Sequence, residues 1–120
     1  MTPERKLWHE LKKNTPQIKW NRIENFAGIG MPDCLGYNTS GHFFTVELKC
    51  TKANKINFSP HQIAWHDAHP NDTFILAKAL GPCTMKLVPG TRVQELLREG
   101  FDCTVDHDTW ITVLARLSAC

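Results

Sequence analysis

At 120 residues the chain is long enough for one hydrophobic core and too short for two, so a single domain spanning 1–120 is expected. Apolar residues at 42% and charged residues at 22% are ordinary globular proportions and exclude a disordered chain. The net charge of +2 is uneven: residues 1–60 carry nine Lys/Arg against five Asp/Glu, and residues 61–120 carry five against seven. A basic first half suits a polyanionic partner. No apolar run approaches the roughly 20 residues that cross a bilayer. The polar start Met1-Thr2-Pro3-Glu4-Arg5-Lys6 has no signal-peptide core behind it. A cytoplasmic protein with no membrane partner is expected. The cysteines (Cys34, Cys50, Cys83, Cys103 and Cys120) form no Cys-x-x-Cys pair, which leaves zinc and thioredoxin-like motifs without support. They are expected to be reduced and mostly buried.

Along the chain, Thr2-Pro3 signals a helix start, with Leu7, Trp8 and Leu11 at helical spacing and Asn14-Thr15-Pro16 as its end. Ile18, Trp20 and Arg22 alternate with polar residues and predict a strand. Ala27-Gly28-Ile29-Gly30 reads as a loop, and residues 32–37 as a short strand. The Asn38-Thr39-Ser40-Gly41 turn leads into a strand over 42–50, the most strand-like run present. Ser59-Pro60 starts a second helix running to about His69, with Ile63, Ala64 and Trp65 on its buried side, Trp65 as core rather than as a base-stacking platform. Pro70-Asn71-Asp72 breaks it. Strands over 73–79 and 84–88 follow, then a helix over 93–98 closed by Gly100, and a fourth helix over 108–119. This order predicts an α/β fold with a central mixed five-stranded sheet flanked by helices.

The informative feature is a pair of carboxylates on consecutive strands. Asp33 follows Pro32, Glu47 comes 14 residues later, and Lys49 stands two beyond it. Period two puts Glu47 and Lys49 on one face of their strand, and pairing across the 38–41 turn can bring Asp33 beside them. Two like charges held close repel unless a cation neutralises them. Mg²⁺ takes a few carboxylate oxygens together with waters and substrate phosphate. There it can polarise a phosphodiester and activate a water, while a lysine stabilises the charge that develops. Phe43, Phe44, Val46 and Leu48 leave little exposed surface on which a charged pair would be incidental.

At these residues the sequence resembles the PD-(D/E)XK nuclease superfamily, through Met31-Pro32-Asp33 and Thr45-Val46-Glu47-Leu48-Lys49. It is most similar to the branch of Holliday junction resolvases and virus-type replication-repair nucleases. Glu4, Leu7 and Leu11 fit that branch's first helix, residues 28–33 its glycine loop before Pro-Asp, and Phe58-Ser59-Pro60-His61-Gln62 its helix opening after Glu-x-Lys. The resemblance covers about 4–80, the expected catalytic core, and leaves a C-terminal helical extension of about 90–120. It implies a restriction-endonuclease-like core with Asp33, Glu47 and the Leu48 backbone carbonyl as ligands of Mg²⁺ or Mn²⁺. Lys49 is then the catalytic lysine, Glu4 the auxiliary acid and metal ligand (Glu10 being its rival), and Gln62 a residue near the scissile phosphate.

The implied activity is a metal-dependent endonuclease acting on DNA, structure-specific as in Holliday junction resolution and acting as a homodimer. The alternatives are a nicking, flap-cutting or restriction-like relative, or a non-catalytic nucleic-acid-binding module. Such compact nucleases serve recombination and repair, and size and resemblance together suit a phage or mobile element. Lys52, Lys55 and Arg22 are candidate DNA contacts. His66 and His69 share a helical face, but no third ligand stands at a telling spacing, so both are read as surface histidines. Residues 110–117 offer a dimer interface, or more simply pack on the chain's own core.

Overall fold

A computed structural model describes residues 1–23 and 30–120; the predicted loop positions Ala27, Gly28 and Ile29 lie outside the described residues. The first helix, α1 (Pro3–Asn14), opens where predicted. The Thr2 side chain accepts the Arg5 N–H, and Pro3 takes a first-turn position where a missing N–H is not needed. Leu7, Trp8 and Leu11 are its buried stripe. Thr15 closes it, donating its hydroxyl to the Leu11 carbonyl at 2.6 Å and accepting the Trp20 indole N–H at 2.9 Å.

The strands β1 (Lys19–Arg22), β2 (Cys34–Tyr37), β3 (Phe43–Thr51), β4 (Thr73–Ala79) and β5 (Thr84–Pro89) form one sheet in that spatial order. All neighbours are antiparallel except β3 and β4, which are parallel. A parallel pair needs a crossover, and α2 (Pro60–Ala68) supplies it. The β2–β3 turn is fastened by Asn38. Its Oδ1 accepts the Ser40 and His42 N–H groups at 3.1 and 3.0 Å, and its Nδ2 donates to the Leu117 carbonyl at 3.0 Å. The chain ends in α3 (Val93–Glu99) and α4 (Trp110–Ala119).

Each sheet face has its own apolar layer. Phe44, Val46, Leu48, Leu76 and Leu87 pack on one face with Leu7 and Leu11 of α1 and Val113 and Leu117 of α4. Ile75, Ala77, Ala79 and Val88 pack on the other with Ile56, Val93, Leu96 and Phe101. Lys86 is buried in this second layer, where its ammonium donates to the Phe101 and Cys103 carbonyls at 2.6 and 3.0 Å. It thereby fastens the 3₁₀ turn Gly100–Asp102 to the sheet. Gly100, at φ +68°, ends α3 in a conformation that favours glycine.

The architecture is the expected α/β class with a mixed five-stranded sheet. Two details differ from the sequence reading. The last helix starts at Trp110 and not at Asp108, because the Asp108 carboxylate is engaged by the Leu87 N–H at 2.7 Å while Thr109 and Thr112 form a capping box. Of the five cysteines, all free, only Cys34 and Cys103 are buried, and Cys83 is exposed. Among the described residues, no helix is long and apolar enough to cross a membrane.

Candidate active site

Alternation along β3 places Phe43, Thr45, Glu47 and Lys49 on one face and Phe44, Val46 and Leu48 on the other. In the ladder Cys34 stands opposite Val46 and Leu35 opposite Thr45, so the next step back sets Asp33 beside Glu47. Asp33 lies just before β2 begins, and its carbonyl, not its side chain, accepts the Ile23 N–H at 2.8 Å. Its Oδ2 turns instead to the backbone N–H of Leu48 and accepts it at 2.8 Å. A strand residue directs its N–H and C=O to the same edge, so the Leu48 carbonyl also faces the Asp33 side.

Glu47 is 2% exposed, and its Oε1 has no hydrogen-bond partner. Burial, together with the hydrogen bond and negative charge of Asp33, pushes its carboxyl well above the usual carboxylate range. The Glu47 carboxyl therefore holds its proton when no cation is beside it.

Gln62 joins the remaining parts. As the N3 residue of α2 it reaches back to the Ser59 N–H at 3.0 Å, while its own N–H goes to the Ser59 hydroxyl at 3.1 Å. The same Oε1 accepts the Lys49 ammonium at 2.8 Å, and its Nε2 approaches Glu47 Oε2 at 3.4 Å. One capping box thus starts the crossover helix and links Lys49 to Glu47. The Lys49 ammonium also sits 4.6 Å from the centre of the Phe58 ring. Gly30, at φ +85°, lies so close to the His61 carbonyl that a Cβ there would collide with backbone. Gly30, three residues before Asp33, is therefore packed against the start of α2.

The other sequence candidates are distributed less compactly. Arg22 approaches the site from the β1 edge, with Nη2 4.0 Å from Asp33 Oδ1 and its guanidinium 5.6 Å from the Trp8 ring centre. Lys52 and Lys55 are exposed in the loop that follows β3. Glu4 is not brought to the pair. The α1 stripe packs on the Phe44–Val46–Leu48 face, which puts Glu4 beside the Cys50 thiol with Glu10 and Lys78 near by. Burial and the Glu4 charge push that thiol up to about 11. Glu10 is engaged elsewhere, accepting the Lys78 ammonium at 3.0 Å.

His66 overturns a sequence expectation. It is fully buried instead of a surface histidine, and neither ring nitrogen has a partner. Burial first, and the Lys49 charge second, push it down to about 4. The signal was available: His66 stands four residues after Gln62, and that spacing repeats a helix face. Ala64, expected inside, is exposed, and Ile63 and Trp65 are half-buried.

The geometry bears on which metal could be held. Among the described residues no group of three or more His, Cys, Asp or Glu side chains is placed to hold a metal ion. Two carboxylates, one with an unpartnered buried oxygen, and a backbone carbonyl suit a hard cation that keeps several waters. Asp33, Glu47 and the Leu48 carbonyl are the residues that could hold such a cation. No family model, curated protein or solved structure matches the chain.

Proposed function

We propose that this protein is a metal-dependent endonuclease of the PD-(D/E)XK kind, hydrolysing DNA phosphodiester bonds within the cell at branched or otherwise distorted structures such as Holliday junctions. The observation that carries the reading is the Asp33–Glu47 pair: two carboxyls on one sheet face, one with a buried oxygen lacking any partner, and a lysine on the same face two residues on. A buried oxygen of that kind costs about 1–3 kcal/mol unless something binds it.

Asp33, Glu47 and the Leu48 carbonyl would hold Mg²⁺ or Mn²⁺, which supplies Lewis-acid polarisation of the phosphate. The rest falls to side chains of the chain itself. Lys49, fixed by Gln62, presents its ammonium to the developing negative charge on the phosphate oxygens. Gln62 keeps the lysine in register with Glu47 and has a second donor hydrogen on Nε2 for a water or a phosphate oxygen. Arg22, Lys52 and Lys55 add positive charge at the rim for the flanking phosphates. A homodimer would set two such centres on one substrate and allow paired cuts.

Four-way junction, flap, duplex and single-stranded DNA, each incubated with Mg²⁺ or with EDTA, test the reading. Metal-dependent cutting of at least one, abolished by Glu47→Gln, is expected. Binding without cutting on every substrate would reduce the protein to a nucleic-acid-binding module.

A further inference from the structure

The face of β3 that carries Glu47 and Lys49 continues away from the site through half-buried Thr45 to Phe43, where it becomes exposed. The parity that inverts Phe44 and Val46 into the core leaves Phe43 on the site's own face, 60% exposed. Phe43 is paired in register with Tyr37, and their rings lie 4.5 Å apart at 52°. Tyr37 in turn stands opposite Lys19, and Leu35 opposite Asn21. Lys19, Tyr37 and Gly41 help line a hollow of about 310 Å³ at the far end of this shelf. Glu47 is four steps along the strand from Phe43, about 13 Å at the usual rise. That is about two nucleotides of an extended strand.

A second aromatic pair borders the same shelf. On α2, at 100° per residue, Trp65 lies on the flank opposite Asp67. Asp67 accepts from Gln94 of α3, so its flank faces the β5 side of the sheet. The Trp65 flank therefore faces the β2 side, where the shelf is. Trp65 and His69 stack there with ring centres 4.3 Å apart and planes 17° from parallel. The ring of His69, which is exposed, is held in place by its Nδ1 contact of 2.9 Å with the Trp65 carbonyl. Because α2 runs back from the Lys49 end of β3 toward Thr73, which pairs with Thr45, its C-terminal cap His69 lies toward the Phe43 end of the strand.

We infer that the shelf between Phe43–Tyr37 and Trp65–His69 binds a single strand with unpaired bases, which stack on these rings while its backbone enters the Asp33–Glu47–Lys49 site. This deepens the proposed nuclease reading and rests on it for the location of the cut. Planar rings about two nucleotides from Glu47, on the face that carries Lys49, match how unpaired bases are held, whereas a paired base stack offers no free face. Lys19 at one end and Lys49 at the other supply charge for the backbone. Phe43 also lines a second hollow with His42, Asp72 and Cys120, so a carboxylate stands on its other side.

The test uses the full chain carrying Glu47→Gln, so that no strand is cut, and reads the anisotropy of a fluorescein-labelled oligothymidylate. Its abasic counterpart and a duplex of equal length are the controls. Tighter binding of the oligothymidylate than of the abasic strand is expected. Phe43→Ala and His69→Ala, both at exposed rings, should each lower the single-strand to duplex affinity ratio about tenfold. Phe43→Tyr should restore it. Equal affinity for basic and abasic strands, or an unchanged ratio in both alanine variants, overturns the inference. So does a dimer that dissociates on Phe43→Ala, measured by light scattering, with single-strand binding unaltered; the shelf would then belong to a second copy. The two readings fail separately. Cutting by the native chain with no dependence on bases sinks the shelf alone, and base-dependent binding with no cutting under any metal sinks the nuclease alone.

Discussion

The Asp33 carboxylate accepts the backbone N–H of Leu48, the residue between Glu47 and Lys49, at 2.8 Å. One end of β2 is thereby tied to the middle of the Glu47-Leu48-Lys49 tripeptide, and the charge and the hydrogen bond of Asp33 become separable. Asp33→Asn keeps an oxygen acceptor and relieves the repulsion with Glu47, so it should fold with unchanged or slightly higher stability. Asp33→Ala leaves the Leu48 N–H unpaired and should lose about 1–2 kcal/mol. Both should lose cleavage by at least about a hundredfold. Urea melts and single-turnover assays of the two variants measure this, and a cleaving Asp33→Asn would remove Asp33 from the metal's ligands.

Glu47 gives the protein an unusual dependence on pH. Its folded carboxyl titrates well above its ordinary value of 4.5, so the folded state holds a proton that the unfolded chain releases. The resulting stability is complete below 4.5 and is lost as pH rises through the raised folded value. Without metal, the melting temperature should therefore fall from pH 5 toward pH 9. Mg²⁺ must displace the same proton, so its stabilisation should grow over that interval. Glu47→Gln should flatten both trends. Calorimetry across the interval with Mg²⁺ and with EDTA provides the measurement; a variant with the native slope would mean that another group holds the proton.

Gln62 serves the helix and the site through one oxygen. Gln62→Ala removes half of the capping box and should cost about 1 kcal/mol of stability, and it also frees Lys49. Gln62→Glu keeps the cap and the bond to Lys49 but sets a third carboxylate beside Glu47. Stability should be restored in Gln62→Glu and cleavage should not, with kcat falling more than about tenfold in both variants and KM changing less. Equal recovery of stability and activity would make Gln62 only a capping residue.

The site was readable in sequence where period two governs. Glu47 and Lys49 had to share a face of β3, and the turn at Asn38 fixed which strand would bring Asp33 alongside. The helix starts at Thr2 and Ser59 were legible because capping depends on neighbours a few residues away. Glu4 was harder, since the face on which α1 packs is a tertiary choice, and here it points the helix at Phe44, Val46 and Leu48. His66, expected at the surface, is buried while Trp65 is only half-buried, for a related reason. With only nine residues in α2, apolar content does not mark the inward face, and the inward direction is set by Gln62 reaching Glu47. The 3₁₀ turn at Gly100 escaped notice because its anchor is a lysine 14 residues earlier, donating to carbonyls that sequence patterns do not record.

His66 tests the packing behind Lys49 and does so at the other end of the pH range. Its ring is fully buried without a partner, and its folded value of about 4 lies below its ordinary 6.5. The unfolded chain thus takes up the proton first, and stability present above 6.5 is lost as pH falls toward 4. The groups acting on it are Lys49 and His69, which disfavour the charge, and Asp67, which favours it. His66→Leu removes the buried polar ring and leaves apolar contact with Phe58 and Trp65, whose rings now meet it edge-on. The variant should be no less stable than the native chain at pH 7. It should also lose several degrees less of melting temperature between pH 6.5 and pH 4. Parallel acid slopes in the two proteins would show that the ring is solvated or paired in solution, and that Lys49 has room to move.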